Sequence, residues 1–260
     1  MELPDPFELI DGEIVIDLPG ARALFTTRCG GVSRPPYDSL NLGILTGDDS
    51  EAVRTNRRRL AERHGVRLAW RKQVHGADVA TVDMPNPTDE VPADGDGVAT
   101  ATANVAPLVL AADCVPIIVA AAPPSGHAAI GTGTTGAVAA VHAGWNGLAK
   151  GVIESGVAAV RRLCPDASKL TAAIGPSARV CCYEVSDELI DRFAALGFAG
   201  LRRGRHLDLQ AIAAAQLTQA GVTTIHDSRQ CTICAEPGTF FSHRRDHGVT
   251  GRQAGIAWLI

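Results

Sequence analysis

The chain has 260 residues, 46% hydrophobic and 20% charged, enough to bury a sizeable core, and no apolar stretch reaches membrane-spanning length. Its 24 Lys and Arg against 28 Asp and Glu leave a net charge of -4, which excludes a general attraction for nucleic acid or an anionic membrane and confines any anion site to a local cluster. Seven cysteines without disulfide-framework spacing, and a start, MELPDPFELI, that lacks the basic and apolar regions of a signal peptide, lead us to expect a cytoplasmic protein.

In chain order, ARALFTT (21–27) reads as a strand, followed by a helix over about 50–64. Further strands are expected at 78–84, 107–113, 115–122, 136–142, 169–175 and 255–260, several of them apolar throughout and so covered on both faces. Helices are expected at 146–163, 186–196 and 208–220. The first of these carries Leu148, Val152, Ile153, Val157, Val160 and Leu163 on one stripe. Ser186 is the N-cap of the second, ahead of Asp187 and Glu188, and Gly197 stops it. Strands and helices alternate without a long linker or a repeat, which predicts one α/β (α+β) domain over residues 1–260.

Other segments read more plainly. MPNPTDEVPADGDG (84–97) is an exposed connection, and Arg57, Arg58 and Arg59 form a solvated helix face. GTGTTG (131–136) matches the dinucleotide fingerprint, but AVAAVH follows it where a helix should begin, so it reads as a hairpin turn. Cys29, Cys164, Cys181 and Cys182 read as small buried hydrophobes, and Cys231 and Cys234 form a lone CxxC, a weak redox or metal signal without a second pair.

Three coordinating side chains stand at the ends of apolar segments: His75 in KQVHGADV, Cys114 in ADCVPIIVAA and His142 in AVHAGWNGL. Singly, each is compatible with an ordinary core residue. Together, two imidazoles and a thiol suit zinc, which commonly takes three protein ligands in catalytic sites. Their spacing is too long for a zinc finger, so the fold must assemble them. Asp113, beside Cys114, reads either as a carboxylate that orients a ligand or as a base.

These residues carry a specific resemblance. TTRCGGVS, PYDSLNLG, QVHGADV, DGDGVAT, ADCVPI, AVHAGWNGL, IGP, CYEVSDEL and FFSHRRDHGVTGRQAGIAWL resemble, in order, a family variously labelled laccase-like polyphenol oxidoreductase, purine nucleoside phosphorylase and peptidoglycan editing factor. The match runs from about residue 20 to the C-terminus; the connection over 123–136 is longer than the family pattern and His247 is extra. The resemblance implies a mixed β-sheet sandwich flanked by helices, similar to the catalytic domain of cytotoxic necrotizing factor. It implies that His75, Cys114 and His142 are catalytic zinc ligands. It further implies phosphorolysis of adenosine, inosine, guanosine and methylthioadenosine, with adenosine deamination, by a monomer or homodimer whose partners are nucleoside and phosphate. Phosphorolysis needs an anion cradle, for which the candidates are Arg28 with the Gly30-Gly31 turn, Lys72 beside Gln73, and Arg244 with Arg245. Tyr37, Asn41 and Phe241 are placed against base or sugar by analogy.

Two other enzyme readings stay open. One is removal of L-Ser from a UDP-muramyl precursor, with either zinc or a Cys114–His142 nucleophile–base pair. The other is a copper-dependent polyphenol oxidase. Three ligands with a thiolate can take up one copper ion, but multicopper oxidases rely on paired H-x-H histidines, and this chain has 8 histidines and no H-x-H. A non-enzymatic binding module stapled by zinc is the remaining alternative.

Overall fold

The computed structural model describes residues 1–87, 90–122, 136–236 and 238–260. Two six-stranded mixed sheets stack face to face. The first runs in the order β1 (Glu8–Ile10), β2 (Glu13–Leu18), β3 (Ala21–Thr26), β14 (Gln253–Leu259), β7 (Val105–Ala111) and β4 (Arg67–Ala69). The second runs β13 (Thr224–Asp227), β10 (Leu170–Ile174), β8 (Val115–Ala121), β9 (Ala137–Ala143), β6 (Gly97–Thr100) and β5 (Val79–Thr81). Their pairings are antiparallel except β4–β7, β5–β6 and β10–β13. A short hairpin, β11 (Arg202–Arg203) with β12 (His206–Leu207), lies apart.

The two-residue period of the strands sorts the core into layers. Ile118 and Ala120 of β8 and Val138 and Ala140 of β9 face Ala23, Phe25, Val109 and Ala257 of the other sheet. Ile117, Val119, Ala139 and Val141 face outward, onto helices α3 (Val152–Leu163) and α5 (Leu209–Gln219). On the outer face of the first sheet, Leu24, Leu108 and Ile256 meet Leu60 of α1 (Ser50–His64). The result is a β-sandwich covered by helices on both sides. The all-apolar strands are buried on both faces, as their composition predicts: every residue of β8 and β9 is buried.

The helix expected over 146–163 is two helices, α2 (Trp145–Ala149) and α3, because Gly151 takes a left-handed φ of 86° between them. The helix expected over 186–196 begins as α4 (Asp187–Phe193), capped by Ser186, and ends in a π-turn over Ala194–Phe198 with Gly197 at φ 92°. Arg57 is not solvated: its Nε donates to the Leu42 carbonyl at 2.8 Å and its guanidinium stacks on Trp70, 4.4 Å from the ring centre. The connection 84–97 is exposed only in part, since Gly95, Asp96 and Gly97 are buried. Of the cysteines read as small buried hydrophobes, only Cys164 is buried; Cys29 and Cys181 are exposed and Cys182 is half-buried. Residues 131–135 of the GTGTTG turn lie outside the described residues.

Candidate metal centre

His142 lies near the end of β9, opposite Pro116 of β8, and Cys114 immediately precedes β8. Strand pairing alone therefore brings thiol and imidazole to one corner of the second sheet. Asp113 takes a left-handed φ of 93°, which turns the chain as it enters β8. His75 comes from a loop on the other side, also at positive φ, 57°. The donor atoms of His75, Cys114 and His142 all lie within 4.8 Å of one another. Cys114 Sγ sits 3.7 Å from His75 Nε2, and the two imidazoles meet edge to face with centres 4.9 Å apart.

Asp96 organises this group. Antiparallel pairing of β6 with β9 sets Asp96 beside His142, whose backbone N–H donates to the Asp96 carbonyl at 2.7 Å. The fully buried carboxylate accepts the His142 Nδ1–H at 2.8 Å and the backbone N–H groups of Val74, His75 and Gly76 at 3.1, 2.9 and 2.6 Å. Burial opposes its charge, but the hydrogen bonds from His142, Gly76 and Val74 and the His142 charge hold the carboxyl below the usual range. With Nδ1 committed, Nε2 of His142 is left to face the group. Burial likewise opposes ionisation of Cys114, yet the His142 charge and hydrogen bonds from His142 and His75 bring the thiol down to about 6. The matching effect on His142, against its burial, raises the imidazole to about 9, through the thiolate and Asp96. Each group thus favours the charged form of the other, and a cation bound here would take the place of the His142 Nε2 proton.

The centre opens into a cavity of about 410 Å³ lined by the 43–46 and 70–73 segments, Tyr183, Trp145 and residues near the C-terminus. Lys72, Gln73, Asp113 and Arg244 line it. The Gln73 amide is spent on both backbone groups of Leu110, at 2.7 and 2.8 Å, and Lys72 pairs with Asp94 at 3.3 Å. Asp113 makes its bonds away from the ligand group: its carboxylate accepts from Thr232 Oγ1 at 2.6 Å and from the Arg244 backbone N–H at 2.7 Å. The part of orienting a histidine belongs to Asp96.

Arg28, Asn41 and Arg245 do not line the cavity. Arg28 is held by the carbonyl and carboxylate of Asp38 and lies over Phe241. Arg245 is held by Asp246 and by the carbonyls of Thr232 and Phe240. Asn41, fully buried, shapes the 41–48 loop through Thr46, Asp48, Gly43 and Arg252. In their place Arg71, Arg252 and His243 join Lys72 and Arg244 at the cavity. Arg252 had a visible signal, the motif GRQAG, but no period or spacing marks which face of a turn an arginine will take.

A family model described as multi-copper polyphenol oxidoreductase laccase matches residues 22–260. The chain belongs to that family. It is 42% identical over 248 residues to a purine nucleoside phosphorylase of Streptomyces coelicolor, covering 92% of this chain and 96% of the relative. A purine nucleoside phosphorylase of Mycobacterium tuberculosis is 39% identical over 246 residues, covering 92% of each. Among solved structures, YlmD from Geobacillus stearothermophilus aligns with a TM-score of 0.85 at 36% identity, covering 98% of this chain and 99% of that one. A Neisseria meningitidis protein of the same group aligns at 0.78 and 35%, over 96% and 99%. The family match spans the second sheet and all of the first except β1 and β2, and it includes every cavity residue named above.

Proposed function

We propose that this chain is a zinc-dependent purine nucleoside phosphorylase working in the cavity beside His75, Cys114 and His142. One observation carries the reading: a nitrogen and sulfur donor group shares a single cavity with the cationic side chains Arg71, Lys72, Arg244 and Arg252. The cavity volume falls within the range of about 300–1,000 Å³ typical of small-molecule sites. Trp70, Trp145 and Tyr183 line the same cavity and give a purine aromatic surroundings. The names of the relatives support the same substrate class.

Two imidazoles and a thiolate, one imidazole backed by a buried carboxylate, suit a catalytic zinc ion. Bound there, zinc supplies Lewis acidity and lowers the pKa of water. The protein's own groups do the rest. Asp96 fixes the His142 tautomer and ties down the His75 loop. Arg252 and Arg244 pair with phosphate through guanidinium forks. In the reaction a phosphate oxygen bonds to the sugar C1′ as the bond from C1′ to the base breaks, and the departing base takes a proton. The proposed substrates are adenosine, inosine, guanosine and methylthioadenosine. The same cavity is proposed to deaminate adenosine, a separate reaction in which water adds at C6 of the base and the C6–N bond breaks to release ammonia, without phosphate.

The test is incubation of zinc-loaded protein with adenosine and with inosine, with and without phosphate, followed by chromatography. Free base with ribose 1-phosphate, formed only with phosphate, is the expected result. Inosine from adenosine without phosphate bears out the deaminase activity. Absence of both products under all conditions overturns the reading.

A further inference from the structure

The CxxC of Cys231 and Cys234 stands alone in the sequence but not in the fold. The chain leaving β10 runs beside the chain leaving β13, joined by a parallel bridge between Ser177 and Cys231. The Thr232 N–H donates to the Ser177 carbonyl at 3.0 Å, and Arg179 grips Asp227 with two bonds of 2.9 and 3.0 Å. This alignment carries Cys181 and Cys182 to the CxxC, and all four sulfurs lie within 4.8 Å of one another. None is in a disulfide.

We infer that Cys181, Cys182, Cys231 and Cys234 form a second metal site, a tetrathiolate site for zinc that ties the 175–183 segment to the 228–235 segment. Three observations carry this beyond proximity. First, tetrahedral zinc with bonds of about 2.3 Å to sulfur separates its ligands by about 3.8 Å, whereas a disulfide needs about 2.0 Å. The Cys181 and Cys234 sulfurs are 3.6 Å apart, near the tetrahedral edge. Second, each of the two segments supplies two of the four sulfurs, and the Ser177–Cys231 bridge fixes their register, so the convergence is set by backbone pairing. Third, the turns that present the thiols are closed independently of any ion, with Cys182 and Tyr183 donating to the Arg179 carbonyl at 2.9 Å and Ala235 to that of Cys231 at 3.1 Å. Coordination moves no electrons: each thiol releases its proton as its bond to zinc forms.

The two segments so joined matter to the cavity. One contributes Tyr183 to its wall, over which Arg244 lies at 5.1 Å. The other contributes Thr232, which bonds Asp113 beside Cys114. The inferred site is a structural staple behind the cavity, independent of the activity proposed above.

The experiment uses full-length protein in which the first centre is dismantled by His75→Ala and Cys114→Ser. After gel filtration under reducing conditions this variant should retain one zinc per chain, and adding Cys231→Ser with Cys234→Ser should remove it. Should the quadruple variant aggregate, zinc release from the double variant by a mercurial reagent, with alkylation mapped by mass spectrometry, decides the matter. Cys181, Cys182, Cys231 and Cys234 should then be shielded until zinc leaves, whereas Cys29 reacts throughout. No zinc above background in the folded double variant, or a Cys181–Cys234 disulfide as its stable state, overturns the inference.

Discussion

His142 and Asp96 are joined twice, through a backbone bond of 2.7 Å and a side-chain bond of 2.8 Å, and the same carboxylate gathers the N–H groups around His75. One acid therefore positions two of the three donors. Asp96→Asn keeps the shape but puts an amide N–H₂ where donors converge. Zinc affinity at the centre should fall about 10- to 100-fold, and stability by about 1–3 kcal/mol, from an unsatisfied buried group. Competition with a zinc chelator and thermal unfolding check both, and unchanged affinity would remove Asp96 from its role.

Cys114 should behave as a thiolate in metal-free protein. Its pKa in the folded state is lowered to about 6, so alkylation should be at plateau above pH 7 and decline as pH falls through 6, against a midpoint of roughly 8.5 for an ordinary thiol. His142→Ala removes the favourable charge and should move the midpoint upward. Peptide mapping after pulsed iodoacetamide at several pH values gives the answer, and added zinc should suppress the reaction.

Arg252 is the guanidinium we assign to phosphate. Losing a charge-assisted bond of about 1.5–3 kcal/mol should raise the phosphate KM of Arg252→Gln by roughly 10- to 100-fold, with the nucleoside KM little changed. Equal losses on both substrates would point instead to disruption of the loop carbonyls of Thr250 and Gly251, to which Arg252 donates.

Gly144 packs behind the centre. A Cβ there would stand 2.9 Å from His75 Cδ2 and 3.1 Å from Cys114 Sγ, while its φ of −77° suits any residue. Gly144→Ala should therefore fold normally yet displace the donors and cut kcat/KM about 10- to 100-fold. Circular dichroism with steady-state kinetics separates the two effects.

His75, Cys114 and His142 were legible because each interrupts an apolar segment at its end, where the strand period stops and a polar side chain needs a reason. Asp96 was not, since an acid between glycines in DGDG has the signature of a solvated turn, and only the β6–β9 register buries it. Arg57 was misplaced for a related cause: burial of a guanidinium depends on Trp70 and the Leu42 carbonyl, both distant in sequence. In the second sheet, β8 and β9 were visible through unbroken hydrophobicity, whereas the short β6 and β13, which carry polar residues, were not among the expected strands. β2, with Glu13 and Asp17 among its residues, lacks that mark and is fixed by pairing with β3. The second cysteine pair was hidden because Ser177 and Cys231 meet only through a bridge that spans more than fifty residues of chain.

Because one buried carboxylate clamps both the loop and the strand that bear the histidines, the floor of the cavity cannot be retuned piecemeal. The rim is different: the 43–46 turn and the 70–73 stretch reach the cavity from outside that clamp. Descendants of such a protein can trade one clientele of small molecules for another by redrawing the rim, leaving the anchor beneath it untouched.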